Sequence, residues 1–247
     1  MDLTTLNEVQ KQAVQEVDGP MMILAGAGSG KTRTLVSRIC YLLSEKDVGA
    51  YQVLALTFSN KAAKEMRDRV AVMLKMEAQA LPITTFHSFC ARLLRTEFFY
   101  LGLSKNFTIY DDGESKAIVK NLLGKRGISS KEINPYEILN FIDVLKNKGF
   151  YLGRKPDAEE MEIQQNPFYE YFVEYEQELV KSNALDFGGL ITAVRQLFEK
   201  NPEVLLRYQQ RYKYLLVDEY QDTNQAQFEL IKLLGSKHRN VCVVGDE

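Results

Sequence analysis

Lys31 and Thr32 end the run Ala25-Gly26-Ala27-Gly28-Ser29-Gly30-Lys31-Thr32, in which small residues alone lead to a cation and a hydroxyl. Glycines let a backbone curl until successive N–H groups face one anion, and a helix opening at such a loop turns its positive end toward it. The pattern suits a triphosphate. Lys31 would reach the β- and γ-phosphates and act in catalysis, and the Thr32 hydroxyl would ligate Mg²⁺. The strict phosphate-loop pattern opens on glycine; Ala25 is a small departure that the turn tolerates. A second set of chemical groups, Asp218-Glu219, follows the apolar run Tyr214-Leu215-Leu216-Val217. A carboxylate leaving a buried strand at its carboxyl end stands where ligands collect in open α/β sheets. Asp218 is therefore read as the Mg²⁺ ligand and Glu219 as the general base orienting a water, a pairing that favours hydrolysis over transfer to a second substrate.

Both sets require strands and helices to hold them. Met21–Leu24, Val53–Phe58, Ile83–Phe86, Tyr214–Val217 and Val241–Val244 read as buried parallel strands, and Lys61–Leu74 and His87–Tyr100 as helices between them. Alternating strand and helix predicts an α/β fold, a parallel sheet flanked by helices. From about residue 101 to 186 that rhythm stops, and Gly113–Leu123, Pro135–Lys148 and Pro167–Lys181 predict an all-helical insertion. Within it, Phe168, Phe172, Tyr175 and Leu179 have helical spacing and read as core. The expected division is 1–100 for the first part of the core, 101–186 for the insertion and 187–247 for the second part.

The chain has 247 residues and a net charge of −2, enough for one large or two modest domains, with no global pull toward nucleic acid. Charge is uneven: residues 96–186 carry 11 basic and 16 acidic side chains, the remainder 20 and 17, so the flanking segments are the better candidates for an anion. Inside the insertion a local basic patch is conceivable at Lys146, Lys148, Arg154 and Lys155. Cys40, Cys90 and Cys242 are isolated among apolar neighbours and read as buried thiols of a reducing compartment. With no apolar run near 18 residues and no basic-then-apolar leader, no membrane is expected and a cytoplasmic protein is the default.

The motifs are dense enough to name a family. Asp218-Glu219-Tyr220-Gln221-Asp222-Thr223-Asn224 resembles the D-E-x-Q-D-T-N signature of superfamily 1 DNA helicases of the UvrD, Rep and PcrA type. Leu6-Asn7-x-x-Gln10 resembles their Q motif, Ala25–Thr32 with Arg33 their motif I, and Thr57-Phe58-Ser59-Asn60-Lys61-Ala62-Ala63 their motif Ia. Thr85-Phe86-His87-Ser88-Phe89 is similar to the motif that follows, and Ala184-Leu185-Asp186-Phe187 to the re-entry into the core. Gly188-Gly189 departs from the polar residues found there in the family. Val243–Glu247 resembles the opening of motif III, cut before its glutamine.

The resemblance implies a P-loop NTPase core of RecA-like fold, the helical insertion being its accessory domain. It implies that Gln10 selects ATP, an amide being able to read adenine bidentately, and that Arg33 packs on the nucleotide. Ala25, Gly26, Ala27, Gly28, Ser29, Gly30, Lys31 and Thr32 would cradle the phosphates. Gln221 and Asp222 would couple hydrolysis to neighbouring elements. Phe58 would stack a single-strand base, with Thr57, Asn60, Lys61, Thr85 and His87 continuing the nucleic-acid track. The cofactors implied are ATP and Mg²⁺. The partners implied are single-stranded DNA, a duplex junction, and a second RecA-like domain of the same parent chain, whose arginines reach the γ-phosphate. The parent would translocate 3′-to-5′ and unwind duplex, as a monomer by expectation, whereas this stretch alone would bind ATP weakly and turn it over slowly. On the residues alone, a P-loop kinase and a regulatory nucleotide-binding module stay open.

Overall fold

A computed structural model describes residues 3–26, 28–75, 81–154 and 160–246. In chain order its elements are α1 (Glu8–Gln15), β1 (Met21–Leu24), α2 (Lys31–Ser44), β2 (Val53–Thr57), α3 (Asn60–Leu74), β3 (Ile83–Thr85), α4 (Phe86–Glu97), β4 (Thr108–Tyr110), α5 (Asp112–Lys125), α6 (Pro135–Asn147), α7 (Tyr169–Lys181), β5 (Ala184–Asp186), α8 (Phe187–Lys200), α9 (Pro202–Arg211), β6 (Tyr214–Val217), α10 (Gln225–Gly235) and β7 (Val241–Gly245). They form two compact units, one of Met1–Phe89, Asn201–Thr223 and Gln227–Glu247, the other of Cys90–Lys200 with Asn224–Ala226.

The first unit is built on a five-stranded, wholly parallel sheet in the order β1-β7-β6-β2-β3. Every residue of β2 is buried, as a strand covered on both faces requires. Leu35, Val36, Ile39 and Leu42 of α2 and Ala63, Met66 and Val70 of α3 pack with Val53, Ala55, Leu216 and Val244 into one core. Because the strands are parallel, the chain leaves all five at the same edge, and the loops after β1, β7 and β6 are neighbours there. Cys40 and Cys242 belong to this core, and burial pushes the Cys40 thiol up to about 12. All three cysteines are free and buried. Among the described residues no helix is long and apolar enough to cross a membrane.

The second unit packs α5, α6 and α7 around Val119, Leu122, Ile138, Ile142, Phe172, Tyr175 and Leu179, so the aromatic stripe of α7 is core. It is not all-helical: β4 and β5 pair in parallel, Thr108 with Ala184 through Tyr110 with Asp186. Two three-residue strands, one with an exposed first position, carry too short an alternation to stand out in a sequence.

Asp186 ends β5 and organises what surrounds it. Its carboxylate takes both Oδ contacts from Lys146 Nζ at 2.7 Å, the Tyr175 hydroxyl at 2.7 Å and the Gly189 N–H at 2.7 Å. Lys146, 2 % exposed, also pairs with Glu176 at 2.7 Å. The glycines that interrupt the family pattern fit here: a Cβ on Gly189 would lie 2.7 Å from Asp186 Oδ1, and one on Gly188 3.3 Å from the Lys146 stem. The helix start at Phe187 is thereby capped by Asp186. Lys146 is accordingly no part of a basic patch, and neither is Arg154, which pairs with Glu160 at 2.9 Å and lies over the Phe150 ring; Lys155 lies outside the described residues.

Burial opposes ionisation of Asp186, yet the Lys146 ammonium and the Tyr175 and Gly189 donors outweigh it and hold the carboxyl below its ordinary value. Burial likewise opposes the charge on Lys146, and Glu176 and Asp186 together raise it. A lowered carboxyl contributes stability that is present above about pH 4, the unfolded value, and is lost as pH falls through the folded one; the raised ammonium contributes below about pH 10 and loses its share as pH rises through its folded value. Thermal unfolding followed by circular dichroism should therefore show a midpoint that falls at both extremes. Asp186→Ala, which leaves the buried Lys146 ammonium with Glu176 alone, should cost about 3–5 kcal/mol at neutral pH.

Candidate functional site

The loop after β1 enters α2 through Gly30, whose φ of 90° is open to glycine at little cost, as is the 75° of Gly28. Its backbone is pinned at several points. Ala25 N donates to Gly245 O at 3.2 Å, Ser29 N to Gly26 O at 3.2 Å, and Thr34 N to Gly30 O at 2.9 Å. Ala27 lies outside the described residues.

Lys31 opens α2 and folds back over this loop. Its ammonium donates to Ala25 O at 2.8 Å and Gly26 O at 3.2 Å and pairs with the Asp246 carboxylate. All three of its donors are thus engaged. Asp246 follows β7, the strand between β1 and β6, and is itself fixed. Its N–H donates to Gln221 Oε1 at 3.1 Å, and Gln221 Nε2 reaches its Oδ2 at 3.4 Å. The approach is close enough that a Cβ on Gly245 would lie 2.9 Å from Gln221 Oε1. Gln221 and Asp222 sit in a single 3-10 turn, Tyr220–Asp222, closed by Asp222 N donating to Glu219 O at 3.0 Å.

Asp218 leaves β6 buried, its N–H still donating to Leu56 O at 3.0 Å and its Oδ1 accepting from Glu219 N at 3.1 Å. Burial raises its carboxyl, opposed by that N–H and by Lys31. Glu219 is exposed and held at φ 52°, a left-handed conformation uncommon for a residue with a side chain. Its carboxyl is raised by desolvation first and then by the Asp218, Asp222 and Asp246 carboxylates around it. Lys31, Asp218, Glu219 and Gln221 are therefore brought together at one edge of the sheet. Asp246 joins them, a residue to which the sequence assigned no role, although an acid directly after an apolar strand is the signal that singled out Asp218.

The donors suit Mg²⁺. That ion takes hard oxygen ligands, commonly one or two carboxylates beside substrate phosphates and water, and the half-buried Thr32 at the first turn of α2 and the buried, desolvated Asp218 offer such a set. Among the described residues no group of three or more His, Cys, Asp or Glu is placed to hold a metal ion by itself.

Gln10 and Arg33 are placed differently from one another. Gln10 closes a capping box on α1, its Oε1 accepting from Asn7 N at 3.0 Å while Asn7 Oδ1 accepts from Gln10 N at 2.9 Å. Its Nε2 donates to Ser29 O at 2.9 Å, so the amide ties α1 to the phosphate loop. It lines a cavity of about 160 Å³ with Ala25, Ser29, Lys31 and Thr34. Arg33 lines a separate groove of about 320 Å³ between α2 and α3, with Val36, Asp68 and Val72.

The other expected residues lie at the ends of β2 and β3, where Thr57 and Thr85 are register partners. Both threonines are buried, and their hydroxyls are used locally, Thr57 Oγ1 donating to Ser59 O at 3.1 Å and Thr85 Oγ1 to Ser88 Oγ at 2.9 Å. Neither hydroxyl is presented at the surface. Asn60 and Lys61 are exposed in the first turn of α3, whose cap is Ser59. Phe58 is half-buried with its ring edge-on to Phe86, centroids 5.8 Å apart. Burial lowers the pKa of His87, which makes it a neutral imidazole near pH 7.

The family model described as the UvrD/REP helicase N-terminal domain matches residues 6–247. A Staphylococcus epidermidis protein named ATP-dependent DNA helicase PcrA is 46 % identical over 246 residues, covering 98 % of this chain and 33 % of its own length. Its Staphylococcus aureus counterpart of the same name is 45 % identical over 246 residues, covering 99 % and 33 %. The chain thus spans about a third of the length of the curated relatives it matches.

Gly30→Ala is expected to strain a left-handed turn and bring a methyl 3.1 Å from Gln10 Nε2. Thermal unfolding should register a loss of about 1–2 kcal/mol.

Proposed function

This chain belongs to the UvrD/REP helicase N-terminal domain family, and from that membership we propose that it is the ATP-binding and strand-contacting part of an ATP-driven DNA helicase, translocating 3′-to-5′ on single-stranded DNA. The observation that carries the reading is the meeting of Lys31, Asp218 and Glu219 at one edge of the sheet.

The chemistry follows from the groups present. Phosphate oxygens entering the loop would displace Ala25 O, Gly26 O and Asp246 from Lys31, exchanging two carbonyls and one carboxylate for phosphate oxygens of greater total charge. Magnesium, held by Thr32 and Asp218, would supply neutralisation of charge on the phosphates. Glu219 would accept the proton of the attacking water, and its raised carboxyl makes it a stronger base than an ordinary glutamate. Gln221 would carry the change outward, because it holds Asp246 and Asp246 holds Lys31. Gln10 would read adenine only by giving up one of its present bonds. Arg33 would contact nucleotide from the groove side of α2.

On the DNA side, Phe58 would stack a base, Asn60 and Lys61 would meet phosphates, and His87 would act as a neutral hydrogen-bonding group. The second unit would be the accessory domain near the duplex junction, and a second RecA-like domain of the parent would complete the ATP cleft.

Three measurements test this. Lys31→Ala should weaken ATP binding by at least about tenfold, the loss expected of a charge-assisted contact; unchanged affinity would remove the phosphate-loop assignment. In the parent protein, single-stranded DNA should stimulate ATP hydrolysis, and Phe58→Ala should weaken DNA binding by about 1–3 kcal/mol. Turnover indifferent to DNA would instead favour a P-loop enzyme acting on a small molecule.

A further inference from the structure

Arg38 is 2 % exposed, an unusual position for a guanidinium. It lies on α2, seven residues beyond Lys31 and so about two helical turns along from the phosphate loop. Two of its contacts are main chain and one is a side chain: Nη1 donates to Ala13 O and to Glu16 O and lies 3.5 Å from Met21 Sδ. Those carbonyls belong to the last turn and the C-cap of α1. A helix leaves its final carbonyls unsatisfied and concentrates negative charge there, so a cation is favoured at that end. An apolar side chain would fill the same space without desolvating a charge. What the guanidinium adds is direction, since its bonds fix where the end of α1 lies against α2 and the start of β1.

The opposite end of α1 carries Gln10, bonded to Ser29 O at 2.9 Å and in line to touch any side chain added at Gly30. The helix is only eight residues long and buries Val14 as its apolar anchor. It is therefore held at two points, Gln10 on the loop and Arg38 on the helix that the loop opens into. Freeing the C-terminal point would let α1 pivot and withdraw Gln10.

We infer that Arg38 is a positioning residue that, through α1, holds Gln10 on the phosphate loop and so sets affinity and base preference for the nucleotide. The second half of that statement rests on the nucleotide-site reading above; the first does not.

The test uses the full chain with N-methylanthraniloyl-ATP and -GTP as fluorescent probes, and compares Arg38→Met, Gln10→Ala and the double variant. Arg38→Met and Gln10→Ala should each weaken ATP-analogue binding by about five- to tenfold, the usual effect of one lost hydrogen bond, and bring it toward the GTP analogue. The double variant should be no weaker than either single, because both act on one contact; effects that multiply would overturn the inference. Hydrogen exchange supplies an arm independent of binding. In Arg38→Met the amides of α1 and of Ser29 and Gly30 should exchange at least about tenfold faster while β2 and β6 stay protected. Faster exchange confined to α1 would show a merely structural role. Should the methionine variant not fold, Arg38→Lys carries both arms, its shorter reach giving a smaller loosening of the same amides; wild-type exchange at Ser29 and Gly30 would overturn the inference. A wild-type chain that binds neither analogue would sink the nucleotide reading, and exchange alone would then decide whether Arg38 positions the loop contact.

Discussion

A parallel sheet covered on both faces has no place for polar chemistry except at the ends of its strands. That constraint governs the central strands of the first unit, whereas β1 at the sheet's edge exposes Met22 and Leu24. β2 is buried along its whole length and β6 over all but its first residue, so charge is excluded until each strand ends. Asp218 then appears at the end of β6, Asp246 at the end of β7 and the phosphate loop at the end of β1. Because β7 lies between the other two, Asp246 is the acid that meets Lys31. The strand order thereby decides which groups become neighbours, although Lys31 and Asp246 lie 215 residues apart in the chain.

Two lysines show what this exclusion costs and permits. Lys146 is fully enclosed and its charge is matched by Asp186 and Glu176, an arrangement that stabilises only while all members are present. Lys31 is 16 % exposed in its side chain and leans on two carbonyls and one accessible carboxylate. The first is sealed and specifies a packing; the second is held by acceptors that an incoming anion can outcompete. Their different fates come from the places that carry them, the last turn of α6 packed against β5 and α7 in one case and the first turn after a loop in the other.

Much of this was legible in the residues. Five apolar runs of four to six residues marked the strands of the sheet, although β1, read as buried, exposes Met22 and Leu24 at the edge, and the helical stripe Phe168, Phe172, Tyr175, Leu179 marked core, because burial imposes periodicity and periodicity is readable. The loop at Lys31 and the acids at Asp218 and Glu219 were readable because glycine and carboxylate stood directly after apolar runs. What escaped were relations set by tertiary placement. β4 and β5 are too short to show a period, and the burial of Lys146 depends on Asp186, forty residues away. Thr57 and Thr85 read as nucleic-acid contacts from their motifs, yet β2 and β3 are buried on both faces and enclose both threonines. Gln10 showed its type but not that both ends of its amide are already used, and nothing around Arg38 announced that an arginine in an apolar stretch caps a different helix.

Cys40 and Cys242 lie within the core of the first unit, and burial raises both thiols, away from the reactive thiolate form. A thiol of this kind reacts with an alkylating reagent only when the core opens around it. The unit therefore contains its own clock: the rate at which iodoacetamide consumes these two sulfurs counts openings of the sheet and α2, and a ligand that closes the phosphate loop over α2 would slow that count without any label having been added.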